Sequence, residues 1–216
     1  ETLTLHHDVG VRFLRSRVRE LAAALGISRR VAGVSDELEA SIAADIAAMP
    51  RAAAEITAHN ADEPYRRKLW IIWERLNPDS EHPYQSDDEL VADVRLIHDS
   101  LVQHRGGRVA ARGLGRLLRH AEVFGRLAAT LDVRQHSSRM VAAIAPWVGV
   151  DGDAIEAMDE AERATRIATV LDGPTMPSPD SVGVRDDELV RTFTELGRGI
   201  RTYGQGAAGK VIVSFT

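Results

Sequence analysis

One short stretch, TLDVRQHSSR (Thr130–Arg139), combines strand-forming residues with side chains that could bind an anionic ligand. Leu131 to Arg134 is typical of a short β-strand, and Arg134 stands at its carboxyl end. A guanidinium is permanently charged and forked, so it suits a phosphate or a carboxylate. Alternatively, Asp132 and Arg134 share one face of the strand and pair with neighbouring side chains. The residues alone leave both interpretations open.

A second candidate, GQGAAGK at residues 204–210, has the glycine and lysine spacing of a phosphate-binding P-loop. The next residue is Val211, where a magnesium-binding Ser or Thr belongs. The order of elements is also reversed, because a P-loop follows a strand and begins a helix. Here a helix precedes and a strand follows, so we predict a flexible connection and no nucleotide site.

Histidines and paired acidic residues do not combine into a metal site in the sequence. His6 and His7 are adjacent, so on a helix their side chains diverge by about 100°. His98 and His104 straddle a predicted helix end, and no helical ligand pair has a supporting carboxylate. The acidic pairs lie at predicted helix starts, where carboxylates cap a helix and interact with its dipole: Asp87–Asp88 and Asp186–Asp187. We therefore expect no metal bound by this chain alone.

Charge and composition limit the classes of function. The 216 residues are 44% hydrophobic, 27% charged and 5% aromatic, which is typical of a globular chain with an aliphatic core. The net charge is -5 and the pI is about 5.9, without a wide basic field. The basic run RFLRSRVRE (Arg12–Glu20) therefore predicts the solvated face of a helix, and nucleic-acid binding is not favoured.

Cysteine usage and hydropathy bear on location. The chain has no cysteine, which excludes disulfides, thiolate metal ligands and a cysteine nucleophile, and fits a reducing cytoplasm. No uninterrupted apolar run approaches the roughly 20 residues that a membrane-spanning helix needs. The amino terminus, ETLTLHHDVG, lacks the design of a signal peptide. We therefore expect a cytoplasmic protein without membrane contact.

Helices must position these side chains, because helical periodicity dominates the sequence. Apolar residues recur every three or four positions in four stripes: Leu14, Val18, Leu21 and Leu25; Leu38, Ile42, Ile46 and Met49; Tyr65, Leu69, Ile72 and Leu76; Leu90, Val94, Ile97 and Leu101. Boundary residues accompany them: Gly26, Ser35, Pro50, Pro64, the capping box of Ser86 with Glu89, and Gly106 with Gly107. Further helices are predicted at about 114–129, 138–148, 159–171 and 186–203.

Two segments break the helical pattern, Leu131–Arg134 and Val211–Phe215. Three consecutive β-branched residues in the second predict a strand covered on both faces, as in a parallel sheet. Two strands cannot form a stable sheet alone, and the long helical segment between them suits a parallel crossover. We therefore predict a predominantly α-helical chain, a single helical unit over residues 1–216, that forms a helix-rich piece of an α/β (TIM-type) barrel. The remaining strands would lie outside the chain, with Arg134 at the strand ends where barrel active sites lie.

Four segments together resemble the phosphoenolpyruvate carboxylase family. FGRLAATLDVRQHSSR (Phe124–Arg139) is similar to the family's Phe-Gly helix start followed by a barrel strand Leu-Asp-Ile/Val-Arg-Gln, an acidic residue, Ser and often Thr-Arg-His. EPYRRKL (Glu63–Leu69) resembles its Glu-Pro-Tyr-Arg helix start. YQSDDELVADVRLIHDSL (Tyr84–Leu101) resembles its Tyr-x-Ser-x-x-Glu-Leu-x-x-Asp-Leu helix, and VIVSFT (211–216) a later strand, Tyr-Ile/Val-Ile-Ser-Met-Ala/Thr. The segments occur in the family's order across almost the whole chain.

The chain departs from the family's pattern at two positions beside the candidate strand. His136 stands where the family usually has Glu or Asp, and Met140 stands where it often has His. These departures leave the detail of a substrate site open, but they do not weaken the resemblance to the family.

The resemblance implies a parent enzyme that converts phosphoenolpyruvate and bicarbonate to oxaloacetate and phosphate, with Mg²⁺ or Mn²⁺ as cofactor, in a homo-oligomer. Only Arg134 matches a family residue that contacts substrate, as an anchor for the phosphate, and Asp132 would support the strand. The family's metal ligands and other catalytic motifs have no match here, so no catalytic residue is assigned. The chain would be an interior fragment, inactive alone, that holds the third and fourth barrel strands. The alternative is a stand-alone, non-catalytic helical scaffold or regulatory module built on the same framework.

Overall fold

The computed structural model describes residues 1–29, 31–104 and 106–215, most of which are helical. The chain divides into two compact units, Glu1–Ala129 and Thr130–Thr216. Each unit has its own internal packing, and the single helical unit over residues 1–216 stays a prediction. None of the described helices is long and apolar enough to cross a membrane.

The amino-terminal unit consists of helices wherever its described residues form regular structure. These are α1 (Thr2–Ala24), α2 (Asp36–Ala48), α3 (Pro50–His59), α4 (Pro64–Arg75), α5 (Asp87–Gln103), α6 (Gly107–Val109) and α7 (Gly115–Phe124), with a π-helical segment at Ala110–Leu114. The four apolar stripes fall on α1, α2, α4 and α5, and most of their side chains are buried in one core. The helical prediction for these four segments is confirmed because one apolar face in each had a partner to bury it.

Polar side chains begin two of these helices as predicted. Ser35 Oγ accepts a hydrogen bond from the backbone N of Leu38, and Ser86 Oγ accepts one from the backbone N of Glu89, both at 3.3 Å. Pro50 does more than end the second stripe, because it is the first residue of α3. The sequence pattern did not predict α3, since this short helix buries only Ala53 and carries no repeated apolar stripe.

The helix predicted at 114–129 ends earlier, at Phe124. Gly125 follows with φ of +56°, a left-handed conformation that favours glycine and ends the helix. Arg126 then binds the start of α5, with its Nε 2.7 Å from Asp87 Oδ1 and its backbone N 3.2 Å from the same oxygen. The carboxylate of Asp87 therefore fixes the chain after α7 as well as lying in the first turn of α5.

The carboxy-terminal unit places helices between two strands. Its elements are β1 (Leu131–His136), α8 (Ser137–Ile144), a 3₁₀ turn (Ala145–Val148), α9 (Gly152–Ala157), α10 (Glu160–Leu171), α11 (Glu188–Tyr203), a second 3₁₀ turn (Gln205–Ala207) and β2 (Ala208–Ser214). Asp187 caps α11 as its position predicts, because its Oδ1 accepts hydrogen bonds from the backbone N atoms of Leu189 and Val190.

The two strands form a parallel two-stranded sheet. Val133 pairs with Val211, Arg134 pairs with Ile212, and the register shifts between Leu131 and Val133. Both strands are longer than predicted, since β1 continues to His136 and β2 begins at Ala208. The prediction of a mostly helical chain with two short parallel strands is confirmed.

The expected burial of both strands is wrong for the described residues. Val211 and Ile212 are 47% and 39% exposed, and Phe215 is 81% exposed. The sheet is open, and in the described residues each strand packs on its neighbour and on one adjacent helix, α8 for β1 and α11 for β2. Parallel strands are usually covered on both faces, and the β-branched composition predicted such burial. The contacts with α8 and α11 leave the two strands partly exposed.

Candidate functional site

Arg134 lies in the carboxyl half of β1, where the strand approaches the start of α8. Exposure alternates along the strand, and Asp132 and Arg134 are its two exposed residues. Within the described part of the chain, the guanidinium of Arg134 has no hydrogen-bond or ion-pair partner. It is therefore a solvent-facing cation that remains available for a negatively charged ligand.

Asp132 stabilises the sheet. Its Oδ1 accepts a hydrogen bond from the backbone N of Lys210 at 2.8 Å, which links β1 to β2 beside the register shift. A Cβ at Gly209 would clash with the same carboxylate oxygen, so glycine permits this approach. Of the two sequence interpretations, the structural one therefore describes Asp132. The guanidinium of Arg134, in contrast, has no side-chain partner among the described residues.

His136 begins the helix that follows the candidate strand. Its Nδ1 lies 2.7 Å from Ser138 Oγ and accepts a hydrogen bond from the backbone N of Ser138 at 3.3 Å. An acidic residue would cap a helix in the same way, so histidine here retains the capping function without the negative charge.

Met140 lines an apolar cavity in the described structure. The cavity has a volume of about 480 Å³ and lies among α8, α10 and α11, with Trp147 and Phe193 also in its wall. A flexible thioether side chain fills irregular apolar space well. Met140 therefore contributes apolar packing at this position.

The segment that resembles a P-loop has no P-loop geometry. Gly204 follows α11 with φ of +91°, Gln205–Ala207 form a 3₁₀ turn, and Ala208 already begins β2. Helix, turn and strand follow in the reverse order of a nucleotide-binding loop, as the sequence indicated. The segment forms a turn and the start of a strand, and the flexible connection stays a prediction.

In the described ranges, no group of three or more histidine or acidic side chains is placed to hold a metal ion. His6 Nδ1 lies 3.2 Å from the carbonyl O of Ala129, and His104 Nδ1 lies 2.9 Å from the carbonyl O of Ser100. These histidines therefore contact backbone within the helical unit. The described residues therefore do not fit the divalent cation that the resemblance implies.

The sequence analysis missed a buried ionic cluster in the amino-terminal unit. Lys68 is fully buried, and its Nζ lies 2.5 Å from Asp45 Oδ2 and 2.6 Å from Asp93 Oδ1. Arg75 Nη1 lies 3.0 Å from Asp93 Oδ2, and Arg75 Nη2 lies 2.9 Å from Glu89 Oε2. Helical spacing could have revealed the cluster, because its charged residues fall on the same helix faces as the apolar stripes of α2, α4 and α5.

Tyr84 completes this cluster. Its hydroxyl donates a hydrogen bond to Asp93 Oδ2 at 2.7 Å, and the guanidinium of Arg75 lies 4.1 Å from its ring centroid. Burial raises the pKa of Tyr84 well above its ordinary value, and the negative charge of Asp93 raises it further. The cluster thus joins α2, α4, α5 and the loop before α5.

Comparison with known proteins gives a consistent result. A family model described as phosphoenolpyruvate carboxylase matches residues 1–216. A relative of that name from Roseiflexus castenholzii is 32% identical over 220 residues, covering 92% of this chain and 24% of the relative. Relatives of the same name from Burkholderia mallei (strain SAVP1) and Xanthomonas euvesicatoria are 32% and 34% identical, covering 93% and 90% of this chain and 22% of each relative. The chain spans about a quarter of the length of the relatives that it matches.

Proposed function

Because the chain belongs to the phosphoenolpyruvate carboxylase family, we propose that it is a piece of an enzyme that converts phosphoenolpyruvate and bicarbonate to oxaloacetate and phosphate. The observation that carries the proposal is Arg134, the one residue that matches a substrate-contacting position of the family. Its guanidinium is exposed and has no partner among the described residues. A cation left free in this way supports a role in binding.

Arg134 would anchor the phosphate of phosphoenolpyruvate. A guanidinium donates two parallel hydrogen bonds to a phosphate and neutralises part of its charge. Asp132 would act indirectly, since its bond to the backbone of Lys210 holds β1 against β2. In this proposal Arg134 binds and orients substrate, and the bond-making groups belong to other parts of the enzyme.

The two strands would be neighbours in a TIM-type barrel. Their parallel pairing and the exposed apolar residues Val211 and Ile212 support this proposal. Parallel strands are typically covered on both faces by helices, and barrels remove open edges altogether. Arg134 would then stand near the carboxyl ends of the strands, the end at which barrel enzymes bind their substrates.

The complete enzyme would use a divalent cation, Mg²⁺ or Mn²⁺, which would stabilise negative charge that develops on substrate oxygens. Its ligands would lie in parts of the enzyme outside this chain, so the chain alone would be inactive. We further propose a homo-oligomeric enzyme in the cytoplasm, since a chain without cysteine suits a reducing compartment.

A chimeric enzyme tests the proposed function. In the Roseiflexus castenholzii relative, the matching quarter would be replaced by residues 1–216, and oxaloacetate formation would be followed in a coupled assay. We expect turnover that requires phosphoenolpyruvate, bicarbonate and the divalent cation, whereas the isolated chain gives none. A chimera that folds and assembles like the relative without any turnover would contradict the proposal, as would turnover by the isolated chain.

A further inference from the structure

A cavity in the amino-terminal unit has the size and lining of a small-molecule site. It has a volume of about 690 Å³ and lies between the last turn of α1, α3 and α4. Cavities of this size bind small organic molecules in many proteins. Two tryptophans and several charged side chains form its wall, and it shares no residue with β1.

The two tryptophans supply an aromatic surface for a cation. Trp70 and Trp73 meet edge to face, with ring centroids 5.7 Å apart. The guanidinium carbon of Arg15 lies 3.9 Å from the centroid of Trp73, so one face of this ring already contacts a cation within the fold. Tryptophan is the side chain whose ring face attracts cations most strongly.

The charged side chains in the wall of the cavity also favour a cation, with the guanidinium of Arg15 as the positive charge beside Trp73. Arg66 is the one arginine in the wall, and its Nη1 lies 2.5 Å from Glu63 Oε2 while its Nε donates to the carbonyl O of Ala22 at 2.7 Å. Its charge is therefore already matched. Glu55 and Glu74 also line the cavity, and within the described residues neither carboxylate has an ion-pair partner. An anionic ligand would meet two unpaired negative charges here.

We propose that this cavity binds a small organic cation of the alkylammonium or quaternary ammonium class. The indole rings would contact its apolar groups and its positive charge, and Glu55 and Glu74 would supply the opposite charge. This site is separate from the phosphate anchor at Arg134 and does not depend on the proposed carboxylation.

Choline is a suitable probe, and 3,3-dimethylbutan-1-ol is its uncharged isostere. Each would be titrated into the isotope-labelled chain at matched ionic strength while the indole N–H resonances are followed. The chain has three tryptophans. Trp147 lies in the carboxy-terminal unit, where its indole N–H donates to the carbonyl O of Pro177, so it serves as an internal control. We expect saturable shifts at Trp70 and Trp73 with choline, an unchanged Trp147, and at least about tenfold weaker binding of the alcohol.

Charge removal tests the carboxylates separately. The double variant Glu55→Gln with Glu74→Gln should weaken choline binding about tenfold, while Glu156→Gln, an exposed change in α9, should leave it unchanged. Equal binding of choline and its uncharged isostere would overturn the proposal. The proposal would also be overturned if the Trp147 resonance shifted together with those of Trp70 and Trp73, or if no resonance shifted saturably. Unchanged choline binding by the double variant would overturn it as well.

Discussion

Lys68 brings a full positive charge into the core of the amino-terminal unit, where Asp45 and Asp93 both contact its ammonium group. Burying ions is unfavourable unless they are paired, so the three side chains depend on one another. The Lys68→Met variant keeps the aliphatic stem and removes the charge. We expect it to lower the free energy of unfolding by about 3 to 5 kcal/mol, because Asp45 and Asp93 lose the ammonium group between them and are left to share the guanidinium of Arg75.

Denaturant unfolding of the chain checks this expectation. Arg17→Met is the matched control, because Arg17 forms an exposed ion pair with Glu20 and such pairs contribute about 0 to 1 kcal/mol. A loss at Lys68 no larger than the loss at Arg17 would show that the buried cluster does not hold the helices together.

Tyr84 should make the stability of this unit depend on alkaline pH. Its folded pKa is raised by burial, so the unfolded state loses the hydroxyl proton first, near the ordinary value of about 10. The stabilising contribution is complete below that pH and decreases as pH rises through it. The difference in unfolding free energy between the unchanged chain and Tyr84→Phe should therefore shrink above about pH 10.

Unfolding curves of both proteins from neutral to alkaline pH measure this difference. A difference that stays constant across the range would contradict the raised pKa. The buried cluster was not predicted from the sequence, because charged residues are usually exposed even where their spacing places them on the apolar face of a helix. The packed helices show that Lys68 and Asp93 are buried in one core.

At the scale of elements, Gly209 permits the contact that joins the two strands. In Gly209→Ala the new Cβ would clash with Asp132 Oδ1, which accepts the hydrogen bond of Lys210. We expect a loss of about 1 to 3 kcal/mol in local stability and faster amide exchange in β2. Gly206→Ala is the matched control, since a Cβ at Gly206 meets no atom within 4 Å.

Hydrogen exchange of the backbone amides of β2 follows both variants. Equal exchange in Gly209→Ala and Gly206→Ala would show that the carboxylate does not stabilise the strand pair. The β-branched run located β2 in the sequence, but the exposure of β2 could not be predicted. Composition indicates the burial that a strand prefers, whereas the number of elements packed on the strand determines its actual burial.

At the scale of the whole molecule, the open sheet leaves apolar residues on an unpaired edge. Exposed strands of this kind pair with other chains, so we expect residues 1–216 to self-associate as concentration rises. Ile212→Lys should reduce the association, because a charge on an edge strand opposes pairing. Val31→Lys is the control, since Val31 is 85% exposed in the helical unit.

Size-exclusion chromatography with light scattering reports the mass of the three proteins. A chain that remains monomeric at every concentration, or that associates equally in both variants, would contradict a role for β2. The sequence resemblance predicted the family over the whole chain, whereas the division into two units could not be predicted, because the helical pattern continues on both sides of β1.

We propose that Arg134 binds the phosphate of phosphoenolpyruvate in a carboxylase of which this chain is a part. The most direct measurement compares kcat/KM for phosphoenolpyruvate in the chimeric enzyme before and after Arg134→Ala. We predict a loss of about 2 to 4 kcal/mol in transition-state stabilisation, roughly 30- to 900-fold, since a charge-assisted contact to phosphate disappears. Arg198→Ala, which removes an exposed partner of Glu195, should stay within about twofold of the chimera. A change within about twofold for Arg134→Ala as well would contradict the claim.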